Sequence, residues 1–450
     1  MDAISSSLLA NPVLLGLVLV FVLSFLRFPV ALSLLAGTFG TGLLGSMSAT
    51  EILEKFSAGS RDGVGVALSY SFLGVFAAAI SEIGFAQYLA DRVLGVFEKN
   101  RSGGRGAVRA VQLLLLALAI LSQNVLPIHI AFIPIFVPPL LAVMGRASLD
   151  RRRIACILTF GLVTPYMFLP FGFGAIFLRE IMLGTMAANG VPLAIGSGSI
   201  VAAMALPALG MLLGLAIALA VTYRSGRTYA EGDGAEGVIR QPGSGRLFTC
   251  GLLAIGLLFF LQIRYGSILL GAVGGVIALL ALGALPWRRM EAVAASGFRM
   301  MAGIGVIMIV AAGYARVLAS SGHLTPLVEG LLRCSGGNVS LAIFTMLLLG
   351  WLLTLGIGSS FSTVPILAAL YVPMATALGL PPLAIFVLLA TAGALGDAGS
   401  PVSDTAIGAT AGLNCDGQHD HIRDTVRPTL FHFNVPLLLF GYLAVRLLAR

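Results

Sequence analysis

AVQLLLLALAILSQNVLPIHIAFIPIFVPPLLAVMG, residues 110–145, is the stretch on which the fold turns. It is apolar apart from Gln112, His129 and a polar step at Ser122, Gln123 and Asn124, with Pro127 just beyond. Basic residues flank it on both sides: Arg92, Lys99, Arg101, Arg105 and Arg109 before, and Arg146, Arg151, Arg152 and Arg153 after. Short Lys/Arg-rich loops between apolar helices stay cytoplasmic, so both ends of the stretch are expected on one side of a membrane. The chain must then enter the bilayer and return. Its length gives ~54 Å of helix at ~1.5 Å per residue, while two crossings of a ~30 Å core need ~60 Å plus a turn. A re-entrant hairpin with its tip at Ser122–Asn124 fits this length. Polar groups at that depth need protein or water around them.

The rest of the composition agrees. Of 450 residues, 58% are hydrophobic and 10% charged, against ~25% charged in soluble domains. Several apolar runs, such as 198–222, reach the ~20 residues that span a bilayer. They are continuous rather than alternating, which excludes a transmembrane barrel. Residues 1–10 hold no Lys or Arg and no A-x-A-like pattern, so the first apolar segment is expected to be a retained helix. The net charge of +8 does not point to nucleic acid. The arginines fall in short loops, including Arg224, Arg227, Arg240 and Arg246, then Arg288, Arg289 and Arg299. The expected partners are the lipid bilayer of an inner (plasma) membrane and a small ion or small-molecule substrate. A homodimer is compatible with this architecture. Cys156, Cys250, Cys334 and Cys415 are scattered and form no C-x-x-C pair, so no disulfide frame or zinc site is expected.

Shifting the sequence against itself by 238 positions places Ser122 on Ser360, Pro127 on Pro365 and Gly84 on Gly322. The segment 72–84 falls on 310–322, and the helix pair at 8–47 on that at 247–286. With a two-residue slip, Thr164-Pro165 falls on Ser400-Pro401 and Gly172 on Gly408. Each half then holds five crossings and a hairpin, so the second half enters with opposite orientation. The expected fold is all-α and polytopic, with two inverted repeats, about 10 transmembrane helices, two re-entrant hairpins and two interrupted helices, an architecture of secondary transporters. The first repeat is 1–222, with its hairpin near 110–145. A charged, Gly-rich cytoplasmic linker occupies 223–246. The second repeat is 247–450, with a hairpin near 340–380 and a broken helix near 382–408.

Chemistry concentrates in GDAGSPVSDT, residues 396–405. Pro401, Gly396 and Gly399 interrupt helical hydrogen bonding. Asp397, Ser400, Ser403, Asp404 and Thr405 set side-chain oxygens around the break. Sodium takes oxygen ligands, and a carboxylate can take a proton instead. An aspartate at bilayer depth costs roughly 2.5–3.5 kcal/mol on insertion scales, so such residues usually serve a site. The other reading is a water-exposed turn. Ser122, Gln123 and Asn124, with Ser359, Ser360, Ser362 and Thr363, are the expected hairpin tips, able to hold a cation or polar substrate, or only to cap the hairpins. His129 is a substrate or proton-relay candidate, or a packing histidine. Glu82 reads as a headgroup-level charge. NCDGQHDHIRD (414–424), with Asp416, His419, Asp420, His421 and Asp424, invites a metal reading through H-x-H, but a solvated cytoplasmic loop is the simpler expectation.

GDAGSPVSDT followed by GLNCDGQHDHI resembles the G-D-x-x-S-P-x-S-D-T signature of NhaC-type sodium/proton antiporters of the ion transporter superfamily. SQNVLPIHIAFIPIFVPPLL and GSSFSTVPI are similar to a branch of sodium/proton antiporters and amino-acid (histidine) permeases. The resemblance covers most of the chain. It implies an inverted-repeat fold and a cation site near the hairpin tips and broken helices, at Asp397, Ser400, Ser403, Asp404 and Thr405, at Ser122–Asn124 and at Ser359–Thr363. The first hairpin reads S-Q-N rather than the S-N-T of the superfamily's dicarboxylate carriers, which argues against a dicarboxylate substrate. The expected function is cation-coupled secondary active transport, sodium/proton exchange by alternating access, with Na+ or H+ as coupling ion, sodium sharing the same residues, and no cofactor. The alternatives are sodium- or proton-coupled uptake of an amino acid such as histidine and, in another class, a membrane-embedded metal-dependent enzyme using the H-x-H loop. No G-x-x-x-x-G-K-[ST] motif is present, which argues against a pump driven by ATP.

Overall fold

The computed structural model describes residues 10–26, 28–85, 88, 105–124, 133, 137, 140–141, 144–145, 148–230, 244–323, 326–327, 330, 338–357, 360–401 and 403–450. All regular structure among them is helical. The helices are α1 (Pro12–Phe25), α2 (Val30–Leu44), α3 (Ala49–Glu82), α4 (Arg105–Asn124) and α5 (Arg151–Phe168). They continue with α6 (Phe173–Ala188) and α7 (Ser197–Thr222), then α8 (Gly245–Tyr265), α9 (Ile268–Ala281), α10 (Met290–Ser320), α11 (Val339–Ile357) and α12 (Ser360–Ala377). The last are α13 (Pro382–Gly399), α14 (Asp404–Leu413) and α15 (His421–Leu448).

Among the described residues, five segments are long and apolar enough to cross a membrane: Gly63–Glu82, Ser197–Thr222, Gly245–Tyr265, Pro382–Leu413 and His421–Leu448. The pair α5 and α6, bent by 51°, passes the same test only when taken together, as a broken span or a re-entrant pair. Ala31–Leu44, Val108–Asn124, Ile268–Ala281, Gly305–Ser320, Val339–Leu355 and Thr363–Ala377 are apolar but shorter. The expectation of about 10 crossings counts several of these. The chain is a multi-pass membrane protein. Its large exposed apolar side chains, among them Leu212 and Leu213 on α7, Phe260 and Ile263 on α8 and Leu443 and Leu447 on α15, form the lipid face.

Two features organise the interior. α13 is buried from Ala384 to Gly399, as a helix apolar on every side should be. α3 and α10, of 34 and 31 residues, pack antiparallel along their lengths. At ~1.5 Å per residue they outrun a ~30 Å core and must tilt. Glycines let the backbones meet: a Cβ on Gly59 would lie 2.6 Å from Ala312 O and 3.1 Å from Gly313 Cα, and one on Gly297 would lie 2.4 Å from Val75 Cα. Small-residue contacts of this kind hold membrane helices together by close van der Waals packing.

α3 ends at Glu82, which accepts a hydrogen bond from Arg289 at 2.9 Å, just ahead of α10. The pair is exposed, which agrees with the headgroup-level reading of Glu82, and adds at most ~1 kcal/mol. It places the ends of α3 and α10 on one membrane side, that of the basic loops. We expect 92–109, 146–153 and 223–246 to be cytoplasmic and the N-terminus and 319–338 extracytoplasmic. Single cysteines in the three basic loops should react with an impermeant thiol reagent only after permeabilisation. Labelling of intact cells at 146–153 but not at 92–109 would make the first hairpin a true crossing and remove the inverted arrangement.

Candidate coupling site at two broken helices

Two X-Pro steps create the site. Leu169 precedes Pro170 and ends α5 in extended geometry (φ −104°, ψ 113°). Ser400 precedes Pro401 and ends α13 the same way (φ −79°, ψ 136°). A proline ring disfavours helical geometry at the residue before it. The first break thus falls at Leu169–Gly172, whereas Pro165 stays inside α5. This corrects the expected superposition of Thr164-Pro165 on Ser400-Pro401: the proline that breaks the first helix is Pro170.

Proline also lacks an N–H, so Pro401 leaves the carbonyl four residues earlier, that of Asp397, without its helical donor. The Thr405 hydroxyl donates to this carbonyl at 2.5 Å, and Ser403 Oγ lies 3.1 Å from it. Ser403 also caps α14, accepting from the Ala406 N–H at 3.2 Å. Ser400 donates to Leu355 O at 2.7 Å, tying the break to the end of α11. Gly396 makes this approach possible, since a Cβ there would stand 2.4 Å from the Thr354 carbonyl carbon.

The Asp397 side chain is buried and accepts the Tyr166 hydroxyl at 2.5 Å on Oδ2. Tyr166 is fully buried, with its oxygen 2.9 Å from Ser360 Oγ at the start of α12. Tyr166 stands four residues before Pro170, and Asp397 four before Pro401. The two side chains that meet are therefore in the same place relative to the two breaks. Phe173, Phe177 and Phe361 surround the tyrosine ring at 6.1, 5.0 and 5.7 Å between centroids. A carboxylate is thus held among aromatic walls and hydroxyls. Sequence reasoning missed Tyr166. The signal was its spacing from Pro170, the same as that of Asp397 from Pro401.

The other expected site residues divide. Thr363 is buried on α12; Asp404, at the first position of α14, is exposed. Ser359 and His129 lie outside the described residues, as does the side chain of Ser362. Asn124, at the end of α4, meets the first break, not Asp397: Gly172, at φ +56°, has space for no Cβ, which would stand 1.9 Å from Asn124 O; most of the return arm of the expected hairpin lies outside the described residues. Ser122 donates back to Ala119 O, within α4, at 3.0 Å. Gln123 and Asn124 are buried, and Oε1 of the first and both amide atoms of the second have no partner among the described residues. Buried polar atoms are rarely left so, and these are candidate ligands for a passing ion.

The 414–424 segment is exposed at Asn414, Cys415, Gly417, Asp420, Ile422 and Arg423, as a solvated loop should be, but several of its side chains are pinned. Arg151 forms a two-pronged pair with Asp416 at 2.6 and 2.5 Å and donates to Leu413 O at 2.9 Å. The Arg151 hydrogen bond holds the Asp416 carboxyl below the usual carboxylate range. Arg227 pairs with Asp424 at 2.9 Å. His419 is buried against the Thr425 hydroxyl at 2.7 Å, and burial lowers its pKa to about 4. His421 spans Thr410 Oγ1 on Nδ1 and the Pro401 carbonyl on Nε2, at 2.7 and 2.8 Å. Its Nε2 must carry the proton, since a carbonyl only accepts. His421 thus braces the second break. Among the described residues no group of three or more His, Cys, Asp or Glu is placed to hold a metal, so the H-x-H metal centre of the enzyme reading is not formed.

Broken helices, a buried carboxylate and an all-helical membrane fold define a secondary transporter. The chain belongs to the Na+/H+ antiporter family: that family's model matches residues 157–442, and a second, of the Na+-H+ antiporter family, matches 11–97. An uncharacterized membrane protein of Vibrio parahaemolyticus is 43% identical over 97% of this chain and 100% of its own. A candidate amino acid transporter of Bacillus subtilis, YuiF, is 38% identical over 97% and 100%. The fold is similar to that of the Alcanivorax borkumensis YdaH transporter, with TM-score 0.62 and 17% identity over 97% of this chain and 98% of that one. It is also similar to that of Neisseria gonorrhoeae MtrF, described with a class of antimetabolite efflux pumps (TM-score 0.59, 14% identity, 88% and 84% covered). The family and both structural neighbours are transporters, not enzymes.

Proposed function

We propose that the protein exchanges sodium for protons by alternating access, and that Asp397 carries either the proton or the cation. The observation behind this reading is the burial of Asp397 between two broken helices, with the Tyr166 hydroxyl on one carboxylate oxygen. An unpaired charge there is costly. A proton neutralises it; so does a sodium ion, to which Ser360, Ser400, Ser403 and Thr405 would offer oxygens. Because both compete for one carboxylate, binding of one releases the other, which is the chemical requirement for exchange.

Alternating access in an inverted-repeat transporter uses two halves of opposite orientation, here 1–222 and 247–450 joined by 223–246. Reciprocal packing supports them. Gly59 lies against Ala312 and Gly313, while Gly297 lies against Gly74 and Val75, and a shift of 238 positions converts one contact into the other. Gly84 and Gly322, also 238 apart, end α3 and α10 with φ +71° and +74°.

The test is exchange in proteoliposomes with an imposed sodium gradient, read by an internal pH dye. The unaltered protein should move protons against sodium. Asn124→Ala and Ser360→Ala should express near normally and weaken apparent cation affinity by about tenfold, the loss of one oxygen ligand taken as comparable to a hydrogen bond to a charged group. Unchanged affinity in both would make the tips plain caps. A second reading, sodium- or proton-coupled uptake of an amino acid such as histidine, is supported by the YuiF relative. Labelled amino-acid uptake that requires sodium would select it.

A further inference from the structure

A cavity of about 160 Å³ lies apart from Asp397, between α3, α6, α10 and α12. Its wall carries two opposite charges, Glu180 of α6 and Arg316 of α10, with Thr185 and Asn189 beside them. Glu180 is half-buried, within the bent α5–α6 span, where a carboxylate without a task is rare. No ion pair joins it to Arg316, and neither side chain has an ion-pair partner among the described residues. Asn189 donates its amide to Thr185 O at 2.8 Å, which leaves Oδ1 as an acceptor. The remaining wall is apolar, with Ile181, Ala312, Ala315 and Ala319.

A guanidinium repels a simple cation, and a carboxylate repels a simple anion. The complement of a small cavity bearing both, unpaired with each other, is a molecule that bears both. We propose that this cavity binds an α-amino acid as its zwitterion, the carboxylate on Arg316, the ammonium between Glu180 and Asn189 Oδ1, and the side chain on the alanine wall. The volume fits a small amino acid, since an apolar cavity of ~150 Å³ holds benzene. Two walls connect this cavity to the coupling site. α6 also carries Phe173 and Phe177 of the ring set around Tyr166, and α12 carries both Pro365 at the cavity and Ser360 at Tyr166. An amino acid seated here would bear on the same elements that enclose Asp397. The proposal rests on the reading of the chain as a coupled transporter and supplies it with a substrate class.

The test is equilibrium binding of tritiated L-alanine, L-serine and L-histidine to the purified full-length protein in detergent. At least one should bind saturably. Its methyl ester and its N-acetyl derivative, each lacking one charge, should compete about tenfold less well or worse, as should the amino acid itself on Glu180→Gln and Arg316→Gln. Ala315→Leu, which fills the cavity without touching a charge, should also weaken binding, and each variant is checked for an unchanged elution profile and melting temperature. No saturable binding of any probe overturns the proposal. So does equal binding by all variants, or equal competition by the ester. The coupling reading is judged separately, by the sodium-driven pH response: exchange without amino-acid binding sinks the cavity assignment alone, while absence of both sinks the two together.

Discussion

Asp397→Asn abolishes coupled exchange, down to the leak of protein-free liposomes, while the protein still folds. The amide has the shape of the carboxylate and can still accept the Tyr166 hydroxyl on its oxygen, so the packing of α5 against α13 is kept. It cannot release a proton, and it offers a cation no charge. Asp397→Glu keeps the titrating group but moves it one methylene toward the aromatic set of Phe173, Phe177 and Phe361. It should retain partial activity with a shifted pH optimum. The readout is the internal pH dye under a sodium gradient, with surface expression as control. A fully active Asp397→Asn protein with an unaltered pH profile removes the coupling role and leaves the 396–405 stretch as a structural turn.

Gly172→Ala destabilises the fold on the order of 3 kcal/mol, from backbone strain and overpacking together. Gly172 sits at φ +56° and ψ −133°, a region closed to L side chains, and its missing Cβ is where the Asn124 carbonyl lies. Either the break or the first hairpin tip must move. Gly190→Ala separates the two causes: it has φ +86° but nothing within 4 Å of a Cβ, so it should cost only about 1 kcal/mol. Gly256, helical with nothing within 4 Å, should tolerate alanine without loss. Melting temperatures of the three purified variants should therefore fall in the order Gly256→Ala, Gly190→Ala, Gly172→Ala. Equal melting of the last two would mean that the hairpin tip does not rest on the first break.

Much was legible in one dimension because its causes are local. Membrane residence follows from run length and charge, both properties of contiguous residues. The helix break at Ser400-Pro401 follows from the proline ring acting on its own neighbours, and the oxygens of Ser403 and Thr405 sit within one turn of it. Asp397 stood out because a carboxylate beside an apolar run is costly wherever the chain folds.

What folding alone decided were the partners, since these join residues far apart along the chain. Tyr166 and Asp397 meet across 231 positions and Arg151 and Asp416 across 265. The first break lies at Pro170 rather than Pro165, because a proline inside a helix can be tolerated when neighbouring helices support it, and α5 is buried on both sides of Pro165. The 414–424 segment reads as solvated because its residues are charged, and six of them are exposed. It is pinned because Arg151 and Arg227, from elements far upstream, neutralise it. Glu180 and Arg316 are far apart along the chain, and the packing of α3, α6 and α10 sets them around one cavity. Composition and local stereochemistry are written in the chain itself, whereas the pairing of charges and hydroxyls depends on which helix faces pack, and that is settled only in three dimensions.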